Sequence, residues 1–515
     1  MLKDRVTERL FWFKLPRCFC GVRMRKLLLV ACSLLTTFCL AQTADKLSPA
    51  VKAYVSVEAP VIALTHVRVI DGTGAAARED QTVVISGGKI IALGPAATTT
   101  APAGAKIIDL SGRSVIPGLV GMHDHLFYPT GTVPIYAELA FSAPRMYLGG
   151  GVTTIRTTGS LEPYTDLSLW QDIESGKTPG PHMFVTGPYL EGKGSFTPQM
   201  HELNGPDDAT RTVNYWADEG VNNYKAYMHI THAELAAAVK AAHQRGLKVT
   251  GHLCSIGFRE ASEIGIDDLE HGLVVDTEFT PDKKPDECPG QGQGMRSLMA
   301  LDVNGPEIQQ TIKYLVAHHT AVTSTLPVFE ISVPNRPPFD TTGASGPPQP
   351  GAPPHYLQKV LDSMTPQARI DFLSRRAQIG ASKDTPMTTI LQKELQFEHA
   401  FAQAGGLLLA GLDPTGYGGV VAGLGDQREV ELLVEAGFTP LEAIKIATMN
   451  GATYMGVAEK IGSITQGKNA DLVVIKGDPS SKISDIENVE IVFKDGVGYD
   501  ATKLMDAAKG MVGLH

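Results

Sequence analysis

The segment GLVGMHDHLFYP, residues 118–129, sets His123 and His125 two positions apart at the end of an apolar run. On a strand, residues i and i+2 face the same side, so the two imidazoles project together and can chelate a transition metal. Four more residues could complete such a centre. His252 ends KVTGHLC, His271 ends IDDLEHG and Asp413 ends LLLAGLDP. Lys225, in VNNYKAYM, sits in an apolar setting where a bare ammonium is costly. Singly, each has a plain structural role open to it, as a satisfied core histidine, a buried ion-pair partner or a helix cap. Jointly, each follows or closes a run of strand-forming residues, and that coincidence points to a metal centre. Imidazole and carboxylate donors suit zinc best, with manganese, cobalt or iron as alternatives. No G-x-S-x-G, P-loop or G-x-G-x-x-G stands in a strand–turn–helix context, so the metal must supply the chemistry.

Three further residues are candidates for binding substrate. Tyr227 lies two positions beyond Lys225, so alternation turns it to the same side, where its hydroxyl could meet a carboxylate or carbonyl; the alternative is packing in the rim. His201 lies in the loop GKGSFTPQMHEL. Arg156, in TTIRTTG, could pair with a substrate carboxylate or with a structural one.

These residues need a frame that presents them at one end. Apolar or β-branched runs occur at SVIPGLVGMHDH, GVTTIRTTGS, HMFVTGPYL, VNNYKAYM, LKVTGHL, IDDLEHG, AVTSTLP and GLLLAGLD, with helical patterns such as HAELAAAVKAAHQRG between several of them. Strand–helix alternation of this kind predicts an α/β fold, a (β/α)8 TIM barrel with a parallel core. In such barrels catalytic groups sit at the C-terminal ends of strands, and the six candidates fall there on strands one, four, five, six and eight. Residues 60–115 and the tail phrases GKNADLVVIKGD and VEIVFKDGVGYD read instead as short strands and turns. Together they predict a small β-sandwich domain built from both ends of the chain. The expected division is an N-terminal extension and signal peptide at 1–41, the β-sandwich at 55–115 and 456–500, the barrel at 116–455, and a C-terminal tail at 501–515. Two long connections, 276–306 and 327–353, read as walls or lids over the catalytic face, or as surface insertions.

With 515 residues, 43% hydrophobic and 19% charged, the chain has the make-up of a globular enzyme, and its formal net charge of −10 argues against nucleic acid as a partner. MRKLLLVACSLLTTFCLAQTADK has a basic start at Arg25 and Lys26, a short apolar stretch and a small-residue cleavage site near Ala41. That is the build of a secretory signal peptide at about 24–41, starting at Met24, and it is too short for a comfortable membrane span. Secretion or a periplasmic location is therefore expected; LVAC (29–32) as a lipoprotein box is the lesser alternative. Cys18, Cys20, Cys32 and Cys39 fall in this removable segment, leaving Cys254 and Cys288, so no disulfide framework is expected.

The ligand pattern, H-x-H on strand one, Lys on strand four, His on strands five and six, and Asp on strand eight, resembles the amidohydrolase superfamily. The resemblance covers about 60–475, including the tail phrase GSITQGKNADLVVI, and in detail the chain is similar to the secreted imidazolonepropionase-like and Xaa-Pro-dipeptidase-like branch, which includes ochratoxinase-type amidases. Imidazolonepropionase lacks the strand-four lysine, so Lys225 points away from that activity. Gly411-Leu412-Asp413 also departs from the usual Gly-Thr/Ser-Asp. The resemblance implies a binuclear centre, with His123, His125 and Asp413 on the more buried ion, His252 and His271 on the other, and a carbamate formed from CO2 on Lys225 bridging both. It implies an exported enzyme that hydrolyses a C–N bond in a small amide or dipeptide-like substrate, with Asp413 as the proton carrier, and a homo-oligomer. A lactonase or esterase, a cyclic-amide hydrolase and a non-catalytic binding protein are the competing readings.

Overall fold

The computed structural model of the chain describes residues 46–130, 135–336, 339, 356–382 and 386–514. The expected signal peptide and most of the connection 327–353 lie outside the described residues. Among the described residues no helix is long and apolar enough to cross a membrane.

Among the described residues, eight short parallel strands hold the centre. They are β1 (Leu119–Asp124), β2 (Val152–Thr157), β3 (His182–Val185), β4 (Asn223–Ala226), β5 (Lys248–Gly251), β6 (Asp268–Glu270), β7 (Ala321–Ser324) and β8 (Leu408–Ala410). Each expected run contains one of them. β1, β2 and β3 form one parallel sheet and β4 to β8 another, each in chain order. A parallel bridge between Thr186 and Asn223 links the end of β3 to β4. Past β8, the Asp413 N–H donates to the His123 carbonyl at 3.0 Å and so ties the last strand to the first. β1, β2, β4, β6, β7 and β8 are buried along their whole length. Burial on both faces is why these segments read as continuous apolar runs rather than as alternation.

The helices between the strands start where the sequence provides caps. In the helix His232–Gln244, between β4 and β5, Thr231 accepts from the Glu234 N–H while the Glu234 carboxylate accepts from the Thr231 N–H. This reciprocal pair satisfies two amide donors that the first turn leaves free. Leu235, Ala238, Val239, Ala241 and Ala242 then form the buried face.

The first expected run, SVIPGLVGMHDH, proves to be two strands. Arg113–Pro117 belongs to the small β region and β1 begins at Leu119. Gly118 stands between them, where an added Cβ would overlap the Thr153 side chain. Among the described residues the small β region is one nine-stranded sheet in which segments from both ends of the chain meet. Arg113–Pro117 is the seam, pairing with Leu472–Lys476 on one side and with Val61–Val69 on the other. In the expected β-sandwich domain the hydrogen-bonded ladder is continuous, because this shared strand joins the two halves. Val69, Val83, Val115, Leu472, Val474 and Phe493 pack on one another there. The last segment is also folded in, as the helix Ala501–Ala507 with Ala501 and Leu504 buried.

The expectation about cysteines is corrected as well. Cys254, just past β5, is disulfide-bonded to Cys288 in the connection after β6, with Cα atoms 5.0 Å apart. The connection folds back over the end of β5, where the Lys283 ammonium also donates to the Ser255 carbonyl at 2.6 Å and the Thr277 hydroxyl to the Cys254 carbonyl at 2.7 Å. Closing this loop restricts the unfolded chain, an effect of about 2–4 kcal/mol for a typical disulfide. Cys288→Ser should lower the thermal unfolding midpoint and speed proteolysis between 276 and 290. An unchanged midpoint together with an unchanged cleavage rate would make the bond incidental.

Candidate metal centre

The six predicted ligands assemble at the C-terminal ends of the parallel strands. His123 lies on β1 and His125 just beyond it, both fully buried. Lys225 lies on β4, and its ammonium nitrogen is 3.0 Å from His123 Nε2. Asp413 Oδ1 lies 3.7 Å from His123 Nε2 and 3.6 Å from His125 Nε2, and its Oδ2 lies 3.7 Å from His271 Nδ1. The His252 ring stands beside that of His271, with centroids 4.3 Å apart. One donor atom each from His123, His271 and Asp413 falls within 4.8 Å of the others. Asp413 therefore faces histidines from both halves of the expected centre.

Backbone geometry helps to aim these groups. His271 and Asp413 both adopt left-handed conformations, with φ of 69° and 53°. Such values are uncommon outside glycine, and here each turns a side chain inward where its strand ends. His271 Nδ1 is paired with the Thr325 hydroxyl at 2.8 Å, whereas its Nε2 is buried without a hydrogen-bond partner. A buried, unpaired ring nitrogen is costly in a closed protein interior and is what a metal ligand requires. The Thr415 hydroxyl donates to Asp413 Oδ1 at 2.7 Å and fixes the carboxylate plane.

Electrostatics favour neutral imidazoles. Burial, then the neighbouring Lys225, depresses the basicity of His123 and His125, and the same two causes bring His252 down to about 3. Burial and the adjacent His252 do the same to His271. Burial also brings Lys225 down to about 8, against the pull of Glu270 and Asp413, and lifts Asp413 to about 6, against Lys225 and Thr415. Neutral imidazoles beside a carboxylate form a donor set that a divalent cation fits.

Beneath the ligands lies a buried network that sequence reading missed. Glu270, on β6, holds His123 Nδ1 through Oε2 at 2.6 Å. Its other oxygen and Asp268 Oδ2 each accept from Arg156 Nη2 at 2.8 Å, and Arg156 Nε donates to the Met122 carbonyl at 2.7 Å. Arg156 is 1% exposed, so its guanidinium is committed below the site and does not reach a substrate. Its candidate role is corrected accordingly to the structural ion pair. The i, i+2 spacing of Asp268 and Glu270 was the available signal, since it puts both acids on one face of a strand. Glu270→Gln should weaken metal binding by about 10–100-fold, the usual effect of losing a carboxylate that orients a ligating histidine. Competition with a chelator measures this; unchanged affinity would show that Glu270 only balances Arg156.

Above the ligands the mouth is aromatic. Phe127 stacks on His125 at 4.3 Å, Tyr227 meets His252 at 4.9 Å, and Tyr189 meets Tyr227 at 4.8 Å between ring centroids. Tyr136 and Phe196 extend this wall. Tyr227 thus occupies the mouth, as its spacing from Lys225 predicts. His201 is not brought to the ligands; its side chain is 58% exposed and paired with Asp208 at 3.2 Å.

Residues 114–283 and 419–498 match the amidohydrolase family. The matched segments contain His123, His125, Lys225, His252 and His271, and Asp413 falls in the stretch between them. A dihydroorotase of Trichlorobacter lovleyi is 33% identical over 125 residues, which is 24% of this chain and 28% of the relative. The chain spans between 8% and 28% of the length of the curated relatives it matches. Among solved structures, a putative prolidase from Bifidobacterium longum is 24% identical with a TM-score of 0.59, covering 87% of this chain and 98% of that one. A bottromycin amidohydrolase is 20% identical with a TM-score of 0.65, covering 91% and 95%. At this distance both likenesses concern the fold.

Proposed function

We propose that this protein is a metal-dependent hydrolase that cleaves a C–N bond in a small amide or peptide-like substrate, on a (β/α)8 barrel closed by the eight parallel strands. The observation behind the reading is the gathering of His123, His271 and Asp413 donor atoms within 4.8 Å, with His125, Lys225 and His252 around them. The family match and the prolidase and amidohydrolase names of the structural neighbours support the choice of bond.

In this reading His123, His125 and Asp413 would hold one divalent cation and His252 and His271 a second, with zinc the best suited to these donors. Lys225 would join this donor set as a carbamate, its neutral amine forming an N–C bond with CO2 and giving up one proton. The bound cations would supply Lewis acidity and lower the pKa of water at neutral pH. The chain's own groups do the rest. Asp413, held by Thr415, takes up a proton and delivers it to the leaving nitrogen. Glu270 keeps the His123 ring oriented from below. Phe127, Tyr189 and Tyr227 shield the reacting carbonyl from bulk water, and the Tyr227 hydroxyl is placed to meet a polar group of the substrate.

Export to the periplasm or beyond is part of the same proposal, supported by the signal-like segment 24–41 and by the Cys254–Cys288 bond, which suits an oxidising compartment. The test is a hydrolysis screen on metal-reconstituted protein with N-acyl amino acids, Xaa-Pro dipeptides, cyclic amides and lactones. Turnover concentrated among the amides is the expected result. Turnover of lactones alone would move the activity to C–O bonds.

A further inference from the structure

A second group of metal-type donors lies away from the centre, where the nine-stranded sheet meets the start of β3. One donor atom each from His182, Asp471 and Asp495 lies within 4.8 Å of the others. His182 opens β3, Asp471 immediately precedes the strand Leu472–Lys476, and Asp495 sits in the turn between the strands Val489–Lys494 and Val497–Asp500. We infer that this trio is a second divalent-cation site, of zinc type, that fastens the β sheet to the parallel strands.

Each of the three side chains has one polar atom engaged. His182 Nδ1 is paired with Glu174 Oε1 at 2.9 Å. Asp471 Oδ1 accepts from the Asp495 N–H at 2.7 Å, and Asp495 Oδ1 accepts from Asn469 Nδ2 at 3.4 Å. The remaining atoms face one another. His182 Nε2 and Asp471 Oδ2 are buried without a hydrogen-bond partner. Asp495 Oδ2 stands 3.2 Å from His182 Nε2, at ion-pair distance. Two donors about 2.1 Å from one cation at a tetrahedral angle lie about 3.4 Å apart, so this spacing suits shared coordination.

The surroundings fit a ligating histidine. A carboxylate on the distal ring nitrogen is the usual partner of a metal-bound imidazole, since it holds the proton on Nδ1 and leaves the Nε2 lone pair free. Lys494, 1% exposed and 3.8 Å from Glu174 Oε1, offsets the charge of that carboxylate. Asp495 is held in a left-handed conformation with φ of 49° at the hairpin turn, and Asp471 and Asp495 are 5% and 8% exposed. One imidazole and two carboxylates leave a fourth position for water. The competing occupant is a proton on Nε2, which would make His182 an imidazolium between Glu174 and Asp495.

Crystals of the wild-type protein, chelated and then supplied with ZnCl2, decide between the two when measured on both sides of the zinc absorption edge. An anomalous peak between His182 Nε2, Asp471 and Asp495, separate from any at His123 and His271, is expected. His182→Arg keeps a positive charge for the two aspartates but cannot ligate, so the folded variant should hold one zinc fewer per chain in solution. An absent peak, or equal zinc content in the wild type and His182→Arg, would overturn the site and leave the buried imidazolium in its place.

Discussion

Replacing Asp413 by asparagine is expected to lower kcat by at least about 10²-fold, the common cost of losing a general acid–base group, with a smaller effect on KM. Asparagine is nearly isosteric with aspartate and still presents a carbonyl oxygen, so metal supplied in excess should remain bound. What it cannot do is take a proton and pass it on. The position suits proton transfer, because Asp413 faces the His123, His125 and His271 rings at 3.6–3.7 Å and is steadied by Thr415. Its backbone N–H is anchored on the His123 carbonyl at 3.0 Å, so the substitution should leave the chain path intact. Metal stoichiometry measured beside kcat separates the two roles. A fully metallated Asn variant with wild-type kcat would assign the proton to another group.

Lys225→Ala should lose metal and activity together, down to the level of the chelated protein. Its nitrogen lies 3.0 Å from His123 Nε2, and burial keeps it a weak base. A permanent ammonium so close to a ligand nitrogen would repel a cation, whereas a carbamate would bind one. The variant leaves a gap shaped for a carboxylate, so acetate or propionate should partly restore both properties. Two tightly bound metals and normal turnover in Lys225→Ala without additive would rule out the bridge.

Most of the parallel strands were legible because burial on both faces writes them as short apolar runs, and the ligands were legible because they lie where those runs end. The layer below was not. Glu270 and Asp268 look like ordinary polar residues of a short strand until Arg156, over a hundred positions earlier in the chain, is brought against them. Arg156 itself reads as a mouth residue from its place on β2, and only its depth removes it from the substrate. Cys254 and Cys288 are separated by 34 positions, a spacing that says nothing of a loop folding back over the end of a strand. The unity of the β sheet likewise rests on Arg113–Pro117 pairing with strands from both ends of the chain, a long-range register that local alternation does not encode.

Metal-dependent cleavage of a C–N bond is tested most directly by amine release from an N-acyl amino acid or dipeptide found active in the screen, followed as zinc is returned to chelated protein. No release is expected from the metal-free chain, and the rate should recover as zinc binds, with His123→Ala remaining inactive at the same zinc concentration. Undiminished amine release from protein stripped of metal would contradict a metal-dependent hydrolase.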